Sequence, residues 1–241
     1  MMQSRSRSTG RRAIACAAGC ALMLGWLCSV ASAGVAFFVN PDGNLAEADP
    51  TRDQDFQAAL TLPMTEFDFS QFGHEYVMEP SNLFAGVVRV RPLLVDENGD
   101  PAADLGENGN RLIETYPGIP VVEGIIEPSA LLNRVFNGGG DTVGAGIEFT
   151  FSEPVEGFGA WIMDDIIEQS QFVLIVTEVG GATYTSGPLE SSNGTVLAIE
   201  GFLGVVSDVG IVKVVIQQQT ISGAPSSADF FYVDHVQVGG R

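Results

Sequence analysis

Carboxylates are the side chains with the most chemistry to offer in this sequence. Asp234 sits in the apolar run DFFYVDHVQV (229–238), where strand alternation puts it on one face with Phe230, Tyr232, Val236 and Val238. A carboxylate on an apolar face needs a partner, because burying an unpaired charge is costly. Asp164 and Asp165 close the run GFGAWIM (157–163). Brought together, Asp164, Asp165 and Asp234 would offer oxygen ligands to calcium, which takes about six to eight. The competing reading makes Asp234 a structural carboxylate that accepts backbone N–H bonds. Asp96, Asn98 and Asp100 also alternate oxygen donors, but Gly99 does not fall at the glycine position of an EF-hand loop and no glutamate follows at the required spacing. An Asn-Gly turn explains the same letters.

Other reaction centres are poorly supplied. His74 and His235 are the only histidines. Neither belongs to an H-E-x-x-H pattern, and no G-x-S-x-G elbow is present, so zinc hydrolysis and a Ser-His-Asp triad lack their parts. With thirty acids, a glycosidase pair of two carboxyls roughly 5–9 Å apart could arise by folding alone; Glu148 and Glu153 lie on or beside one strand signal, with nothing to set them apart. Trp161 and Tyr184 could stack on sugars; for Trp161, packing among apolar neighbours is the competing reading. Asn193-Gly194-Thr195 has the letters of a glycosylation sequon and equally those of a hairpin turn.

The elements that must position these groups begin after a leader. Residues 1–12 carry Arg5, Arg7, Arg11 and Arg12 and no acid; residues 13–30 are apolar; Ala31-Ser32-Ala33 ends the run. Basic, apolar and small-residue regions in that order make a secretory signal, with cleavage expected between Ala33 and Gly34. Cys16, Cys20 and Cys28, all the cysteines, lie inside it. The exported chain is then expected to have no disulfide, no thiolate ligand and no stable membrane anchor. Beyond residue 33, seven bases face thirty acids, a net charge of −23, and Lys213 is the single lysine. Such a field repels nucleic acid and anionic membranes and favours divalent cations, basic partners or neutral ligands.

Three regions follow from the pattern: a signal peptide (1–33), an irregular lead-in (34–52) and one domain (53–241). Phe56, Ala59 and Leu60 have the spacing of a short helix, with Asp53 as its cap. Strand signals then dominate: VVRVRPLLV (87–95), with Pro92 at an edge or bulge; GIEFTFS (146–152) and GFGAWIM (157–163), read as a hairpin about Glu153-Pro154; QFVLIVTEV (171–179), a central strand turning at Gly180-Gly181 into ATYTS (182–186); then 195–200, 202–207, 210–218 and 229–238. Residues 80–144 read as a loop-rich insertion. Short strands separated by Gly, Pro, Asn and Asp predict an all-β, antiparallel β-sandwich of jelly-roll type with one short helix.

Four segments, in order, carry a family resemblance: DQDFQAALTLPMTEFDFSQF (53–72), GIEFTFSEPVEGFGAWIMDD (146–165), GFLGVVSDVGIVKVVI (201–216) and FFYVDHVQVG (230–239). Together they resemble the secreted bacterial β-sandwich proteins of the exosortase-linked PEP-CTERM type, over about half of the exported chain. The resemblance implies a jelly-roll-like extracellular domain and no catalytic residues. It departs from tagged members at Gly239-Gly240-Arg241, where no Val-Pro-Glu-Pro stretch occurs. The functional expectation is a non-catalytic extracellular module that binds a polysaccharide, a matrix component or a surface protein, or has a structural role, with calcium as its candidate ion. The alternative is a secreted polysaccharide hydrolase working through paired carboxylates.

Overall fold

The computed structural model describes residues 34–40, 50–67, 69, 76–77, 86–93, 110–115, 129–136, 141–143, 145–164, 170–190, 199–226 and 231–240. The chain divides into two units, Met1–Ser32 and Ala33–Arg241, and every described residue belongs to the second. Asp96, Asn98, Asp100, His74, Asp165 and Asn193 lie outside the described residues, as does Ala33.

In chain order the elements are β1 (Val35–Val39), α1 (Thr51–Ala59), β2 (Met64–Phe67), β3 (Tyr76–Val77), β4 (Val87–Leu93), β5 (Asn110–Thr115), β6 (Ser129–Phe136), β7 (Asp141–Val143), β8 (Gly146–Asp164), β9 (Ser170–Glu178), β10 (Thr183–Thr185), β11 (Leu189–Glu190), β12 (Ile199–Thr220) and β13 (Phe231–Gly239). All the pairings among them are antiparallel, as the alternating patterns require. No helix of the described residues is long and apolar enough to cross a membrane.

Two strands build the architecture. The segments expected to form a hairpin about Glu153-Pro154 are one continuous strand, β8, and the segments 202–207 and 210–218 are likewise one strand, β12. They pair along both of their halves and bend together. At the bend, Thr150 pairs with Lys213 and Val155 with Ile211, so four β8 residues oppose one on β12. One step on, Val206 pairs with Gly157, so four β12 residues (207–210) oppose one on β8. These reciprocal bulges turn both strands from one layer into the other, a corner typical of sandwiches whose strands switch sheets. Pro154 is accommodated because it lies in the bulge, where no ladder N–H is required.

The aromatic contacts confirm the folding-over. Phe149 and Phe158 are nine positions apart in β8, about 30 Å in a straight strand, yet their ring centroids are 4.9 Å apart. Phe172 of β9 and Phe231 of β13 meet at 5.0 Å. The first layer is therefore β10–β9–β12–β8–β4, using the second half of β12 and the first half of β8. The second is β1–β12–β8–β13, using the other halves, with β2 and β6 on the far side of β13. Between them lie Ile147, Phe149, Phe158, Ile162, Phe172, Leu174, Leu203, Val214, Ile216, Phe231 and Val233, all buried. The fold is an all-β antiparallel sandwich, as the strand patterns predict.

The turn at the corner is pinned by side chains. Ser207 Oγ donates to Glu178 Oε1 (2.5 Å) and accepts N–H bonds from Val209 and Gly210 (3.1 Å each). Gly210 has φ +103°, a conformation that side-chain-bearing residues rarely adopt. The Gly180-Gly181 hairpin between β9 and β10 forms as expected, both glycines having positive φ.

α1 lies on the outside of the second layer. Its only buried residue is Phe56, which packs with Phe38, Phe202, Trp161, Leu60 and Met64. The strands beneath are floored by glycine: a methyl added at Gly159 would stand 2.5 Å from Phe202 Cζ and 3.0 Å from Phe56 Cε1. Asp53 does not cap the helix. Pro50 occupies the cap position without a side-chain bond, and Asp53, inside the first turn, accepts from Gln57 Nε2 (2.8 Å) and Trp161 Nε1 (3.4 Å) instead. After the helix, Glu156 of β8 receives the N–H groups of Thr61 and Leu62 (2.9 Å each), tying the helix exit to the sheet.

Candidate functional site

The sequence-derived aspartates do not form one described cluster. Asp234 is fully buried, and its Oδ1 accepts the N–H of His235 (2.7 Å). Asp234 does share the face of Tyr232, but the expected alternation fails beyond Asp234, so Val236 and Val238 are not on that face. Asp234 pairs with Trp161 and Gln237 with Gly159, so three β13 steps match two on β8. The extra residue is His235, held at φ +44°. This bulge reverses the alternation: Val236 and Val238 join Phe231 and Val233 in the core, while Asp234 and Gln237 lie on the outer face with Trp161. His235 directs Nδ1 to Glu66 of β2 (2.5 Å).

Asp164 ends β8 opposite Phe231, three ladder positions from the Trp161–Asp234 pair, about 10 Å along the strand. Among the described residues, no group of three or more His, Cys, Asp or Glu stands together to hold a metal ion. Gly34, at the expected cleavage point, is exposed beside β1, its N–H 3.4 Å from Asp208 Oδ2. Trp161 is buried against Phe202 on the second layer, whereas Tyr184 is 40% exposed on β10 of the first. They make no common stacking platform.

A denser set of functional groups lies elsewhere, on the outer face of the first layer. Alternation sends Phe149, Phe172, Leu174, Val176, Val214 and Ile216 into the core, so their neighbours face outward. Register then aligns these neighbours in rows. One row reads Thr183, Thr177, Lys213, Thr150 and Arg89; the next reads Thr185, Ile175, Val215, Glu148 and Arg91. A third holds Val173 and Gln217, and a fourth Gln171 and Gln219.

Two hydrogen-bonded systems organise the face. The amides form a ladder: Gln171 Nε2 donates to Gln219 Oε1 (3.3 Å), and Gln219 Nε2 donates to Gln217 Oε1 (2.8 Å). At the other side, Glu148 is 5% exposed and takes Arg91 in a two-point contact, Nε to Oε1 at 2.7 Å and Nη2 to Oε2 at 3.3 Å. Lys213 Nζ stands 3.7 Å from the same Oε2, with its side chain 41% exposed. A bidentate guanidinium fixes the carboxylate plane. Glu153 is exposed at the bend, outside these rows. The sequence pattern puts Glu148 and Thr150 on the polar side of their strand without marking either as a site. The arginines of β4 were visible as alternating with valine, but which strand they flank depends on pairing across more than fifty residues.

No family model and no curated protein sequence matches the chain. Among solved structures it is similar to a family 29 carbohydrate-binding module (13% identity, 62% of this chain and 87% of that chain, TM-score 0.31) and to a module of that family complexed with cellulohexaose (13%, 62% and 89%, TM-score 0.32). It is also similar to an arabinose-bound α-L-arabinofuranosidase, of which it covers 31%, at 11% identity and TM-score 0.37.

Proposed function

We propose that this chain is a non-catalytic extracellular module that binds polysaccharide on the outer face of its first layer. The observation that carries the reading is the row of threonine hydroxyls beside Lys213 and Arg89, with the Gln219 amide, on one rigid sheet face. Gln219 is half-buried and held in place by the buried amides of Gln171 and Gln217, and Thr150, Thr177, Thr183 and Thr185 reach the surface with hydroxyls. Ile175, half-buried, supplies apolar contact between them. A hydroxyl-rich polymer needs this mixture of directed polar groups and apolar contact. Side chains fixed by the sheet lose little entropy on binding.

The hydrolase alternative finds less support. Both Glu148 oxygens are engaged by Arg91 and Lys213, contacts that a nucleophile or proton donor would have to break. The leader supports an extracellular setting. The test is a glycan array and affinity electrophoresis with the purified chain. Gln219→Ala should weaken binding about fivefold while leaving the melting temperature within a few degrees. Absence of binding to every polysaccharide would refute the reading.

A further inference from the structure

We propose that removal of the leader creates an ion pair inside the fold: the ammonium of Gly34, released by cleavage after Ala33, binds Asp208 and ties down the start of β1. This follows from the leader and from β1, and it holds whether or not the chain binds polysaccharide. A leader-cleaving peptidase hydrolyses the C–N bond between Ala33 and Gly34. The hydroxyl of water goes to the Ala33 carbonyl carbon and the hydrogen to the Gly34 nitrogen. At neutral pH the products are a departing carboxylate and an ammonium. A neutral amide N–H thus becomes a positive charge at the same atom.

That atom already faces a carboxylate. Gly34 N donates to Asp208 Oδ2 at 3.4 Å, although the two residues are 174 positions apart. Strand register brings them together. Val35, Phe37 and Val39 pack against the core, and Phe38 packs against the Phe56 cluster. A one-residue slip of β1 would turn this apolar set outward, so the register is fixed. Val35 pairs with Ser207, and Gly34 continues the ladder toward Asp208. The backbone beneath Asp208 is held as well. Ser207 Oγ accepts the N–H groups of Val209 and Gly210 and donates to the buried Glu178. The carboxylate therefore stands on a pinned turn at the point where β1 begins.

Charge favours the pairing. Beyond residue 33, seven bases face thirty acids, and none of the ion pairs among the described residues reaches Asp208. Cleavage adds one cation to this acidic chain and adds it beside this acid. The position of the cut matters. One residue more or less moves the terminus about 3.3 Å along the strand, away from Oδ2. Both groups are exposed, so the contact is a modest one. Its effect is local: a strand that would fray is tied at its free end.

The test starts from the chain exported by a host with its leader intact. N-terminal sequencing should read Gly34-Val35-Ala36, and a different first residue overturns the inference. Transamination of the terminus then turns the ammonium into a neutral carbonyl and spares Lys213. The melting temperature should fall by about 1–3 °C. Hydrogen exchange at Val35, Ala36 and Phe37 should rise about two- to fivefold and stay unchanged in β9. In Asp208→Asn the same transamination should change neither quantity; in Asp208→Glu at least half of its effect should remain. Comparing modified with unmodified protein inside each variant cancels the gain from removing an acid in so negative a chain. In about 1 M salt the melting-temperature difference should at least halve. No response to transamination overturns the inference, and a response that persists in Asp208→Asn overturns the assignment to Asp208.

Discussion

Phe56 and Gly159 should prove coupled, because the one buried residue of the helix lies on a glycine floor. Phe56 is fully buried and is the sole buried residue of α1. Phe56→Ala removes a ring whose burial is worth about 3–5 kcal/mol in comparable cores, and release of α1 caps the cost at the helix's own docking energy. Gly159→Ala adds a methyl 2.5 Å from Phe202 Cζ and 3.0 Å from Phe56 Cε1, both far inside contact distance. One ring must move. Phe202 is fully buried and itself touches Phe56, at 5.5 Å between centroids, and Trp161, at 5.8 Å. Overpacking of this kind costs about 1–3 kcal/mol, of which the better strand propensity of alanine returns about 0.5 kcal/mol.

In the Phe56→Ala background the vacated volume lets Phe202 swing aside, so the added methyl should cost under about 0.5 kcal/mol. The double-mutant cycle should therefore show about 1–2 kcal/mol of coupling. Denaturant titrations of the four proteins, with m-values compared, give the measurement. Additivity within about 0.5 kcal/mol would refute the glycine-floor account, as would a Phe56→Ala cost below about 1 kcal/mol.

Three further outcomes are expected. Ser207→Ala removes one bond to Glu178 and two from backbone N–H groups at the corner, leaving buried groups unsatisfied; denaturation should show a loss of about 2–3 kcal/mol. Arg91→Ala strips the buried Glu148 of its two-point partner while Lys213 stays nearby, so the loss should be about 1–2 kcal/mol, and Glu148→Gln in the same chain should restore most of it. Glu156→Ala frees the chain after α1 from its four contacts to Thr61 and Leu62; hydrogen exchange should rise at Thr61 and Leu62 and stay unchanged in β9 and β12.

Much of the layer structure is legible in local pattern. Phe149 and Phe151 alternate with Glu148 and Thr150, and a half-buried strand is the only element that gives such neighbours opposite environments. QFVLIVTEV is apolar on both sides and lies between β10 and β12, as a central strand must. Phe56, Ala59 and Leu60 mark the helix by their spacing.

Tertiary structure decided where strands bend and where alternation slips. Glu153-Pro154 has the letters of a hairpin turn, but a turn would require β8 to pair with itself. The longer β12 offers every half of β8 a partner, so the same residues become a bulge and the strand runs on into the other layer. At His235 one inserted residue reverses the facing of all that follows, an event that no count of two can foresee. The polar face of the first layer was hidden for the same reason. Arg91, Glu148 and Lys213 are separated by 57 and 65 positions, and only the register of three strands brings their charges within 4 Å. Sequence dictates which side of its own strand a residue takes; long-range pairing dictates whose side chain it meets there.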